Sequence, residues 1–136
     1  MNLSNNMQSR AGKFGPLLVF FVGIHSIFLG IVMYFYTDFF YQAFFAATVE
    51  NIFFVRQSGV FLFLAGLFYL YPLIALKKSY NIILLVIFSK FVAVLFLLAN
   101  AQFTLAPPMI YLAAFFDGLM AFLLIFAYFN FKRSFG

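Results

Sequence analysis

Long apolar blocks separated by short polar ones set the pattern of this chain. Residues 17–36, 52–76, 82–99 and 108–129 are each apolar over roughly the twenty residues that a helix needs to cross a hydrocarbon core. The connections are short, which makes successive helices antiparallel neighbours. The pattern predicts an all-α, integral membrane four-helix up-down bundle spanning residues 16–131, with short tails at 1–15 and 132–136.

Taken in order, residues 1–15 are polar, carry Arg10 and Lys13, and are expected to form a largely disordered tail. The first run is longer than a typical signal-peptide core. The one weak small-residue cleavage candidate after it is QAFFAA at 42–47, so the run is expected to stay in place as a span. Residues 37–51 contain Asp38 and Glu50 but are too apolar for a free loop. They predict a short interfacial helix in the first outer loop. The second span starts at Ile52 or at Gly59, because Arg56, Gln57 and Ser58 interrupt the apolar run. Arg56 is close enough to the end to snorkel to the interface. Lys77 and Lys78 make a tight turn into the third span, and Pro107-Pro108 suits the first turn of the fourth.

Composition narrows the class. With 67% hydrophobic and 8% charged residues in 136, a soluble fold could not cover its apolar surface. The formal charge of +5 comes from basic residues interleaved with spans, which read as topology signals and give no reason to expect nucleic acid. Arg10, Lys13, Lys77, Lys78, Lys132 and Arg133 fall on one side of a four-span chain, against Asp38, Glu50 and Arg56 on the other. By the positive-inside rule both termini are cytoplasmic. The absence of cysteine excludes disulfides and thiol chemistry. One histidine and three acids argue against a dedicated metal site, and no cofactor is predicted.

Candidate chemistry is confined to the middle of the bilayer. Lys90 lies nine residues before Ala99 and Asp117 nine after Pro108. Each is then about 14 Å from the outer face on antiparallel helices, so the two can form an ion pair. His25 is about 12 Å from the inner face, near the same level. A matched pair at one depth is the least costly way to bury either charge. The same three residues could instead line a small polar cavity for a proton, an ion or a ligand. His25 alone could be an axial ligand to haem or chlorophyll, or the contact of a quinone-associated subunit. Arg56 with Glu50 or Asp38 predicts an interfacial ion pair, the competing role being capture of an anionic headgroup, with Gln57 beside it. Small residues mark close helix approaches: Gly23, Ser26 and Gly30 on the first span, Gly59 and Gly66 on the second. Ala114, Gly118 and Ala121 form such a stripe on the fourth, beside Asp117. No HExxH, phosphate loop or nucleophile–histidine–carboxylate spacing is present, so no catalytic residue is assigned.

Arg56-Gln57-Ser58-Gly59 opening span two, Gly66 and Tyr69 within it, Lys90 in span three, and Asp117-Gly118 with Ala121 in span four resemble the BphX-like and DoxX-like small bacterial membrane proteins. That resemblance implies a four-span bundle in the bacterial inner membrane and no agreed activity. The expected function is a non-enzymatic accessory protein or subunit of a membrane assembly, with the bilayer as its medium and a homo-oligomer or larger complex as its setting. The alternatives are a small proton-coupled transporter acting as an oligomer and a pigment-, haem- or quinone-associated subunit.

Overall fold

The computed structural model describes residues 3–48, 50–74, 81–103 and 108–135. It contains α1 (Leu3–Phe35), α2 (Thr37–Phe45), α3 (Ile52–Leu70, continued by a 3-10 turn over Tyr71–Leu73), α4 (Ile82–Phe103) and α5 (Pro108–Phe135). The stretches Phe14–Phe35, Ile52–Leu73, Ile82–Gln102 and Pro108–Lys132 are each at least 21 residues long and apolar enough to cross a membrane. The chain is an all-α, four-helix membrane bundle with one short extra helix, α2, between its first two spans.

Several helix ends differ from the sequence expectation. The N-terminal segment expected to be a disordered tail is helical from Leu3, and α1 runs through Pro16 without a break. A formed span is a nucleus already in place, and adding residues to it avoids the cost of starting a helix. The expected C-terminal tail is likewise helical to Phe135. The second span starts at Ile52, not Gly59, because the Asn51 side-chain oxygen accepts the Phe53 N–H at 3.0 Å and caps the helix there. The third extends past Ala99 to Phe103; Asn100 stays within it by donating its side-chain amide to the Phe96 carbonyl at 2.8 Å. Lys77, Lys78 and Pro107 lie outside the described residues.

The packing order is not the chain order. The α1 helix packs against α3 on one side and α5 on the other, and α4 packs against α5. The helices α3 and α4, consecutive spans expected to be neighbours, scarcely touch. Among the described residues a hydroxyl–hydroxyl hydrogen bond joins their side chains. The Ser89 hydroxyl donates to the Val86 carbonyl at 2.8 Å, so its oxygen receives the Tyr69 hydroxyl at 2.6 Å. A short connection forces two helices to run antiparallel but not to pack along their length.

Glycines set the closest contact. Gly23 and Gly30 on α1 face Gly66 and Gly59 on α3 across the antiparallel crossing. A Cβ on Gly30 would lie 2.6 Å from the Gly59 carbonyl oxygen, and one on Gly66 would lie 2.8 Å from that of Gly23. Backbones this close gain dispersion contact, which drives helix association where lipid tails are as apolar as side chains.

A cluster of buried apolar residues occupies one half of the bundle. Val19 and Val22 of α1, Ile83, Val86 and Ile87 of α4, and Leu124, Ala127 and Phe131 of α5 form it, with Tyr69 and Leu73 alongside. This is the half nearer the chain ends, where Phe131 packs on Gly15. In the far half the separation of α3 from α4 leaves a gap, and α2 lies over it.

Candidate functional site

Lys90 and Asp117 face each other between α4 and α5. The Lys90 ammonium donates to the Asp117 carboxylate with Nζ to Oδ1 at 2.6 Å. Two helices put them there: both residues stand near mid-span, and α4 and α5 pack antiparallel. An ammonium alone at this depth would cost about 3 kcal/mol, which the carboxylate offsets. The two ends of the pair differ in access. The Lys90 side chain is 6% exposed and that of Asp117 17%.

Asp117 gains its exposure from a cavity of about 410 Å³ in the gap beneath α2. Its walls are Leu29 and Met33 of α1, Leu62 of α3, and Ala113 with Ile110 of α5, and its roof is Phe40 and Phe44 of α2. Phe54 and Ser58 of α3 and Phe96 of α4 line it and are also exposed, so the cavity opens sideways between the second and third spans. Asp117 is the charged group in the lining, and the Ser58 hydroxyl there is already donated to the Phe54 carbonyl at 2.9 Å. The result is an apolar chamber with a carboxylate at its base, within the size range of small-ligand sites.

The roof is held by local chemistry. At its start the Thr37 hydroxyl is buried and donates to the Met33 carbonyl at 2.8 Å, tying α2 to the end of α1. At its end Ala46 adopts a left-handed conformation, φ 51°, and its N–H bonds to the Gln42 carbonyl at 2.9 Å, closing the helix. The rings of Phe40 and Phe44, one turn apart, stack with centroids 4.5 Å apart. Asp38 is exposed on the opposite side of this helix. Nothing in the sequence pattern marks these rings as cavity-facing, because phenylalanine suits lipid and interior equally. Tyr36 supplies the bend between α1 and α2.

His25 is half-buried on α1. Its Nδ1 is buried and has no hydrogen-bond partner among the described residues. Among the described residues no three His, Asp or Glu side chains are grouped so as to hold a metal ion.

Two other expectations change. Arg56 forms no ion pair with Glu50 or Asp38; its guanidinium sits 5.7 Å from the centroid of the Tyr34 ring. Glu50 and Asp38 are both exposed, and Arg56 on the next span turns toward α1. Gly118 does not mark a tight helix crossing. A Cβ there would meet Val94 at 3.8 Å, an ordinary contact, because Gly118 faces a shallow surface groove between α4 and α5. Ala114 and Ala121, from the same stripe, are buried.

Comparison with protein-family models, with curated proteins and with solved structures finds no match to this chain.

Proposed function

We propose that this is a non-enzymatic accessory protein of the bacterial inner membrane, with both termini cytoplasmic, that holds a lipid-soluble amphiphile in the chamber beneath α2. The observation that carries this reading is the position of Asp117 at the base of an apolar cavity that opens sideways toward lipid. The walls admit a hydrocarbon body but select little, because lipid tails offer the same apolar contact. Selectivity falls to the carboxylate. Lys90 occupies one Asp117 oxygen, and an ionised carboxylate has acceptor sites for further donors. The bound molecule is therefore one whose polar end donates a hydrogen bond, such as a hydroxyl- or amine-bearing amphiphile.

The core on the other side of the pair favours holding over passage. Ile83 and Leu124 are fully buried there, so transport would require that half of the bundle to open. The four-span architecture is also the fold that the BphX-like and DoxX-like resemblance implies.

Native mass spectrometry of the protein released from mild detergent tests the reading. The wild type should carry an amphiphile adduct, and Ala113→Phe and Ser58→Trp, which fill the chamber from opposite walls, should lose it while keeping their thermal stability. A bare wild type, or an adduct retained by both variants, would refute the proposal.

A further inference from the structure

A second feature lies on the lipid-facing side of the α1–α3 pair, apart from the chamber. At the start of α3, Tyr34, Phe53, Arg56 and Gln57 enclose a surface cavity of about 480 Å³. It shares Tyr34 and Val60 with a wholly apolar groove of about 220 Å³ floored by Gly30 and Gly59. The two adjoin at those residues, the polar one at the end of the span and the apolar one toward its middle. The apolar part runs beside the close α1–α3 approach, with Gly30 and Gly59 in its lining.

Arg56 is the polar anchor. It is the fifth residue of α3, about 6 Å along the axis from Ile52, which is the depth of the boundary between headgroups and acyl chains. It is exposed, makes no ion pair among the described residues, and is held in orientation by the Tyr34 ring 5.7 Å away. Gln57 adds an exposed amide beside it. A guanidinium presents paired N–H groups that match two phosphate oxygens, and it sheds hydration more readily than an ammonium does.

We infer that this groove is a binding site for one anionic phospholipid, its phosphate on Arg56 and Gln57 and an acyl chain along the seam over Gly30 and Gly59. Charge and shape agree in direction. The cation stands at the interfacial end and the uncharged channel leads from it toward the middle of the span, as a phospholipid is itself arranged. The inference is independent of what fills the chamber beneath α2.

The test is native mass spectrometry of the full chain titrated with dioleoyl phosphatidylglycerol or dioleoyl phosphatidylcholine, which share acyl chains and differ in headgroup charge. The wild type should prefer the anionic lipid by about fivefold, the effect of one basic residue near a membrane surface. Arg56→Gln should abolish the preference and Arg56→Lys should retain part of it. Val60→Trp, which obstructs the seam, should weaken binding of both lipids. Lys132→Gln, which removes an exposed cation on another span, should reduce the preference less than Arg56→Gln does. Equal binding of the two lipids by the wild type, or a preference that survives Arg56→Gln, would overturn the inference. So would a protein dimer that Arg56→Gln dissociates, because the arginine would then serve a second copy and not a lipid.

Discussion

Lys90 and Asp117 each make the other tolerable. Either charge alone would be stranded between α4 and α5, whereas joined at 2.6 Å they leave one short charge-assisted hydrogen bond. Lys90→Met and Asp117→Leu should each cost about 3–5 kcal/mol, because each leaves an uncompensated charge. The double variant should recover to within about 1 kcal/mol of the wild type, since an apolar replacement of a buried pair is often close to neutral. Thermal unfolding of all four proteins in one detergent measures this; three equally stable variants would mean that water reaches the pair freely. The double variant should nevertheless carry no amphiphile in the chamber, having lost its acceptor. The pair was legible from residue counting alone, because antiparallel helices of known rise fix relative depth. The unequal exposure of its members was not. It depends on a cavity whose walls come from all five helices.

Among the elements, α1 and α3 behave as one welded unit and α2 as a roof over the gap that this pairing leaves. The facing glycines explain the weld: Gly30→Ala would place a methyl 2.6 Å from both the Gly59 carbonyl oxygen and the Phe63 amide nitrogen. Those atoms are backbone and cannot rotate away, so the helices must separate, at a cost of about 1–3 kcal/mol. Gly118→Ala meets only Val94 at 3.8 Å and should be neutral or slightly stabilising in the same thermal assay. Reversal of that order would remove the glycine seam from the account. Small-residue spacing correctly selected Gly23, Gly30, Gly59 and Gly66 as close approaches. It misplaced Gly118, because a small residue beside a surface groove and one in a helix crossing look alike in sequence. The existence of α2 could be read from the apolar character of residues 37–51, but its position over the gap could not.

At the scale of the molecule, the buried apolar cluster lies in the half of the bundle near its termini, and the chamber lies in the other. The core of Val19, Ile83, Val86, Leu124 and Phe131 closes one end, while the chamber and the Arg56 groove both lie toward the other. Four spans followed from the lengths of the apolar runs; the order in which they pack did not, because loop length constrains direction and not contact. The proposed orientation puts the buried cluster toward the cytoplasm. The chain lacks cysteine, so single introduced thiols report sidedness cleanly. Thr48→Cys, in the connection before α3, should react with a membrane-impermeant maleimide in intact cells, and Asn81→Cys, at the start of α4, only after the membrane is broken. The opposite pattern would invert the topology.

The chamber beneath α2 is the central claim, and photolabelling tests it most directly. A diazirine-bearing, hydroxyl-headed amphiphile, activated in native membranes and mapped by peptide mass spectrometry, should mark Leu62 and Ala113, which line the chamber, and Ala113→Phe should suppress the mark at Leu62. Labelling confined to outward rings such as Phe28 and Phe122, and unaffected by that substitution, would show that the amphiphile only surrounds the protein as bulk lipid.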